Sequence, residues 1–128
     1  LVKQRISPLP SESTIKREFA RVDERRKYAR KKAQAALAQD GIAVRVVSMP
    51  STTVFDRQSV EYKAGVLPDK LPRIAVEMGV TDGWWKYGCA AVVGIDTYGE
   101  SAPAPALFKL FGFTPQNVAD TVRKVLSK

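Results

Sequence analysis

Gly41-Ile42-Ala43-Val44-Arg45-Val46-Val47-Ser48-Met49-Pro50 is the stretch on which the fold class turns. Five of the six residues from Ile42 to Val47 are apolar and four are β-branched. Such a run suits a strand covered on both faces, and Met49-Pro50 closes it. Upstream, Ser11 to Asp40 contains neither proline nor glycine and is rich in Ala, Arg, Lys and Glu, so it reads as helix. Ile15, Phe19, Val22, Ala29, Ala33 and Leu37 recur at helical spacing along it, with Arg26 interrupting the stripe and Gly41 as its stop. Ser7-Pro8-Leu9-Pro10 marks a loop before that helix, and residues 1–6 are expected to fray.

Downstream the pattern alternates. A helix is expected from Val54 to Gly65, capped by Thr52 or Thr53, with Val54, Phe55, Val60, Val66 and Leu67 inward and Pro68 ending it. Strands follow at 73–78 and 90–95, with a short helix at Trp84-Trp85-Lys86-Tyr87 between them. A helix over Pro105–Phe111 precedes the last one, which has Thr114 as N-cap, Pro115 at its first position, and Val118, Val122, Val125 and Leu126 on one side. Short strands alternating with helices predict a single three-layer α/β domain, its mostly parallel sheet flanked by helices. Ser48–Thr53 and Thr97–Ser101 follow strand ends, where such sheets place ligands.

Composition narrows the function. The chain has 128 residues, 45% hydrophobic and 27% charged, which fits one globular domain. No apolar run reaches the roughly 18 residues a membrane span needs, and the first ten residues lack a secretory core. A single cysteine, Cys89, forbids an internal disulfide, and a reducing cytoplasm is the expected compartment. There is no histidine, so a histidine triad or a histidine-ligated zinc is beyond this chain alone. The net charge of +8 is regional: residues 1–32 carry 11 Lys and Arg against 4 Asp and Glu, and residues 33–128 carry 10 against 9.

Each candidate site has a plainer counterpart. Arg25, Arg26, Lys27, Arg30, Lys31 and Lys32 could hold polyanions, but they match no nucleic-acid motif and read better as a solvated face giving at most weak, non-specific binding. Trp84, Trp85 and Tyr87 could form a ligand platform, but core or interdomain packing is the commoner use. Cys89 has no histidine to activate it and reads as an inert thiol. Gly99-Glu100-Ser101 lacks phosphate-loop spacing and reads as a turn. Asp96 and Glu100 suit a cap or ion pair better than an acid–base pair, and the hydroxyls of Ser48–Thr53 suit helix capping better than anion binding.

From Ala33 onward the chain resembles the carboxy-terminal domain of bacterial transketolases. The resemblance rests on Val44-Arg45-Val46-Val47-Ser48-Met49-Pro50-Ser51-Thr52, Phe55-Asp56, Tyr62-Lys63 before Val66-Leu67-Pro68, and Ala75-Val76-Glu77. It continues through Gly83-Trp84-Trp85-Lys86-Tyr87, Gly99-Glu100-Ser101-Ala102-Pro103-Ala104 and Phe111-Gly112-Phe113-Thr114. Transketolases move a two-carbon ketol unit between sugar phosphates with thiamine diphosphate and a divalent metal, Mg or Ca. Their chemistry sits in two other domains at a dimer interface. The resemblance therefore implies a structural and interaction domain that has no catalytic, cofactor or metal residue of its own. Its partners would be the other transketolase domains and the dimer mate, met through Trp84, Trp85, Tyr87, Tyr98 and Glu100, with no membrane. A small basic nucleic-acid-associated protein is the alternative.

Two departures stand out. Family members open this domain with a buried strand and a Gly-Ser-Glu turn, which residues 1–32 lack, and the link Gly88-Cys89-Ala90-Ala91 is short. The chain thus divides into a basic, partly helical segment, 1–32, and an α/β domain, 33–128, without its first strand. Codons CGG-AAG-TAT for Arg26-Lys27-Tyr28, behind a T and read one nucleotide earlier, give Ser-Glu-Val, which makes the segment upstream of about Lys31 an out-of-frame product or else a genuine extension.

Overall fold

The computed structural model describes residues 28–128. The loop expected at 7–10 and the helix expected over 11–27 lie outside the described residues. The chain is helical over 28–39 (α1), with Ala33 and Leu37, one turn apart, each only 1% exposed. Gly41 ends α1 in the left-handed region at φ +75°. The amides of Gly41 and Ile42 return to the carbonyls of Ala38 and Leu37, the double closure that a glycine at this position permits.

Among the described residues, 42–48 form no ladder of the kind that their composition predicts, and Val47 alone is in a bridge. Side chains hold the segment instead. Gln34 donates to the Val44 carbonyl at 2.6 Å, and the Arg45 guanidinium donates to the carbonyls of Gly65 and Val66. The helix expected over 54–65 is two helices, α2 (Thr52–Asp56) and α3 (Val60–Val66). Their caps are Ser51 and Ser59, whose hydroxyls accept from the amides of Val54 and Tyr62. Ser59 must be extended to cap α3, at ψ 159°, and that breaks the helix.

β1 (Arg73–Val76) and β2 (Cys89–Val93) run parallel, joined through a 3₁₀ helix at Asp82–Tyr87. Two strands therefore form the sheet among the described residues, in place of the three expected. Both are also shorter than predicted, because the chain beyond them turns inward: the Gly79 amide donates to Glu77, and the Gly79 carbonyl accepts from Ile95. α4 (Ala104–Leu110) and α5 (Pro115–Leu126) complete the domain, and Thr114 caps α5 as its sequence predicts.

Ala33 and Leu37 of α1 meet Val118 and Ala119 of α5 in the core, with Ile42, Val44, Val76 and Val122 packed against them. Ala75 faces the opposite side of β1 from Val76 and is buried too, so both faces of the strand are covered. Across the outer edge of this core, Arg123 of α5 bonds Asp40 at 2.6 Å and Asp120 at 2.7 Å, fastening the end of α1 to α5.

Leu37 is the largest fully buried side chain, whereas Leu126 is 50% exposed. In urea denaturation Leu37→Ala is expected to cost about 2–5 kcal/mol, and Leu126→Ala less than about 1 kcal/mol. Equal losses would contradict the placement of the α1–α5 core.

Candidate interdomain surface

Two clusters occupy the places where interdomain contacts were expected. The first is built around Asp56, at the end of α2. Lys86 donates to one carboxylate oxygen at 2.6 Å and the Tyr87 hydroxyl to the other at 2.8 Å. These two hydrogen bonds, Lys86 first, hold the Asp56 carboxyl below the usual carboxylate range. The same pairing raises Lys86, while burial is the main cause of the rise at Tyr87. The Tyr87 ring stands edge-on to buried Phe55 at 5.8 Å and 5.9 Å from Trp84, and Phe55 in turn meets Tyr62. Tyr87 and Trp84 thus belong to the domain's own packing, which ties the 3₁₀ helix to α2 and α3. Trp85, on the same short helix, is 50% exposed.

The second cluster lies at the carboxyl ends of β1 and β2. Asp96 accepts from both the amide and the hydroxyl of Thr81, each at 2.8 Å, and these bonds hold its carboxyl low. Gly94 is required beneath this clasp. A Cβ there would stand 2.7 Å from Thr81 Cγ2 and 2.9 Å from the Gly79 carbonyl. The loop that the clasp presents, residues 96–103, is exposed throughout, and Tyr98 within it is 98% exposed. Met78 and Val80, in the loop after β1, are also exposed.

The five residues expected at an interdomain surface therefore divide. Tyr98, Glu100 and Trp85 face outward, while Trp84 and Tyr87 serve the interior. Asp96 is engaged with Thr81 rather than paired with Glu100. Met78 and Val80 were missed, because in sequence they read as strand end and turn; their exposure follows from the turn at Gly79. Ser48–Thr53 caps α2 through Ser51. Cys89 is half-buried, and burial pushes its thiol up, away from the reactive thiolate.

The basic residues form no single patch among those described. Arg25, Arg26 and Lys27 lie outside the described residues. Lys31 and Lys32 are exposed, with Lys32 over the Tyr28 ring at 4.3 Å, whereas Arg30 is half-buried on a different side of α1.

Comparison with known proteins gives one consistent result. Residues 28–114 match the family model for the transketolase-like TK C-terminal domain. The chain is 51% identical to transketolase 2 of Aliivibrio fischeri and 49% identical to transketolase 1 of Pasteurella multocida. In each case the match covers 74% of this chain and 15% of the relative. Among solved structures, a Pichia stipitis transketolase in complex with sedoheptulose 7-phosphate superposes with a TM-score of 0.73 at 42% identity. Leishmania mexicana transketolase gives 0.73 at 41%. Each structural match covers 78% of this chain and 15% of the other.

The Asp56 cluster carries a pH signature. Asp56 titrates lower when folded than when unfolded, so its contribution is complete above about pH 4 and fades as acid reaches the folded value. Lys86 is raised, so its part is complete below about pH 10 and fades above the folded value. Asp56→Asn is expected to flatten the stability profile of the chain at both ends, measured as denaturation midpoint against pH. An unchanged profile would show that the pair contributes nothing to folding.

Proposed function

Because the chain belongs to the transketolase-like C-terminal domain family, we propose that it acts as the carboxy-terminal structural and interaction domain of a transketolase. The chain spans about 15% of the length of the curated relatives it matches, and that is the observation which carries the reading. In this reading the complete enzyme transfers a two-carbon ketol unit between sugar phosphates, using thiamine diphosphate and Mg or Ca. The sugar phosphate in the Pichia stipitis complex supports that substrate class. The domain's own task is to pack against the other domains and contribute to the dimer, with the basic segment 1–32 as an appendage to domain 33–128. No helix among the described residues is long and apolar enough to cross a membrane, and the lone thiol suits a cytoplasmic setting.

The described residues do not fit the cofactor. Thiamine diphosphate needs a metal held by several converging oxygens. Here Asp40 is bonded to Arg123, Asp56 to Lys86, Asp69 to Arg73 and Asp96 to Thr81, each in a different part of the domain. No three carboxylate or thiol side chains converge among the described residues. Tyr98, Glu100 and Trp85 are the contacts proposed toward partner domains. Tyr98, almost wholly exposed on a loop clasped from below, supplies a large, rigid ring of the kind that anchors interfaces.

Titration calorimetry of the chain with thiamine diphosphate and magnesium is expected to give no saturable heat at ligand concentrations up to about 1 mM, and ketol transfer no rate above blank. Micromolar saturable binding would refute the reading. Mixed with a transketolase from which its own last domain has been removed, the chain is expected to co-migrate in size exclusion. Tyr98→Ser should weaken that association by about tenfold or more. Lack of association with the intact chain would refute the interaction role.

A further inference from the structure

Asp-Gly is the dipeptide in which a main chain most readily rearranges through its own side chain. The glycine amide nitrogen, with no Cβ beside it to crowd the approach, can attack the aspartate Cγ and close a succinimide ring. The chain holds two such pairs, Asp40-Gly41 and Asp82-Gly83, and all four residues are exposed. Exposure therefore does not separate them, but bonding does.

At Asp40-Gly41 both reacting groups are engaged. Arg123 holds one Asp40 oxygen from two nitrogens, at 2.6 and 3.0 Å. The Gly41 amide donates to the Ala38 carbonyl at 3.1 Å, and the φ of +75° at Gly41 belongs to the closure that ends α1. Bringing the nitrogen onto Cγ would break the ion pair and the helix end together. At Asp82-Gly83 neither group is engaged among the described residues. No hydrogen bond or ion pair reaches the Asp82 carboxylate, and the Gly83 amide lies in the first turn of the 3₁₀ helix, where no preceding carbonyl accepts it. The Thr81 hydroxyl, which could cap this turn, serves Asp96 instead. One bond, from the Trp84 amide to the Thr81 carbonyl at 3.0 Å, closes over the pair. A terminal turn held by a single bond opens far more often than one tied to a packed helix end.

We propose that Asp82-Gly83 is a self-modification site at which the chain forms isoaspartate, and that Asp40-Gly41 is protected from the same reaction. In the first step the N–Cγ bond forms and a Cγ–O bond breaks; the carboxyl OH leaves as water with the proton given up by the amide nitrogen. One water then opens the succinimide. Attack at Cγ restores aspartate, whereas attack at the former main-chain carbonyl leaves the chain running through Cγ, with a free carboxylate on Cα. Nothing is oxidised or reduced, and the mass returns to its starting value. The product carries one extra methylene in the main chain just ahead of Trp84. The Thr81–Trp84 bond is then lost, and the helix that seats Lys86 and Tyr87 on Asp56 is loosened at its start. The new exposed carboxylate is the group that isoaspartyl carboxyl methyltransferases esterify. The reacting pair shares no residue with the Tyr98 loop, so this proposal is independent of the interaction role.

The test ages the full chain for weeks at physiological temperature in mildly acidic buffer. Isoaspartate is located by peptide mapping with electron-transfer fragmentation, which distinguishes the two isomers, and measured by methyl transfer from labelled S-adenosylmethionine with a purified isoaspartyl methyltransferase. It is expected to accumulate at residue 82 about tenfold or more faster than at residue 40. In urea, where both pairs are released, the two rates should come within about threefold of each other. Gly83→Ala places a Cβ where no atom lies within 4 Å and the backbone is not left-handed. The fold is therefore kept, and formation at residue 82 should fall about tenfold or more. In the aged chain the Trp84 amide should exchange about tenfold faster and the Val92 amide no faster. Equal rates at the two sites in the folded chain overturn the proposal. So does a preference for residue 82 that persists unchanged in urea, since the flanking sequence and not the fold would then select the site.

Discussion

A parallel strand satisfies its main chain only through neighbours, and that requirement governs this domain. β1 and β2 can pair because residues 77–88 give the crossover the dozen residues it needs, with a 3₁₀ helix in the middle. Pairing them in register sends both chains out at the same end of the sheet. There Thr81, after β1, meets Asp96, after β2, and the exposed loop 96–103 is presented on a fixed base. The position of this exposed loop is thus a consequence of the direction in which two strands run.

The rest of the domain is held by contacts between elements far apart in sequence. The Arg123–Asp40 bond joins residues 83 positions apart, and Lys86 and Tyr87 reach back 30 and 31 positions to Asp56. Exposed ion pairs of this kind are individually weak. Here each one sits at the margin of a buried group, the first beside the α1–α5 core and the second beside Phe55, so their value is in fixing which surfaces meet.

Much of this architecture was legible from residue pattern alone. The Thr114-Pro115 start of α5, the stop at Gly41 and the two strands at Ile74 and Val92 follow from local chemistry that no tertiary contact overrides. The segment 42–48 shows where pattern stops. Its β-branched residues specify an extended backbone, but a ladder needs a second strand beside it, and no local signal reports whether one is there. Ser59 is a different failure. A serine inside an apolar-periodic stretch reads as tolerated helix until its cap bond to Tyr62 is seen. At the candidate surface, aromatic composition marked the right neighbourhood but not the direction of each ring. Trp84 and Trp85 are adjacent and identical, and only packing against Tyr87 separates one from the other.

Several of the side chains that could do chemistry are engaged in holding this structure together. Asp56 is fixed by an ammonium and a phenol, Asp96 by a threonine amide and hydroxyl, and Cys89 by burial that keeps it a thiol. A general acid or base needs a titration point near working pH, yet Asp56, Asp96 and Asp120 are all moved further from neutrality by the bonds they accept. Meanwhile Tyr98 and the loop around it are exposed, and no packing inside the domain accounts for so large a ring in water. Asp40, Asp56, Asp96 and Asp120 are thus engaged by neighbours within the domain, while Tyr98 and Glu100 stand exposed without such engagement, and it is on that division that the proposed interaction role rests.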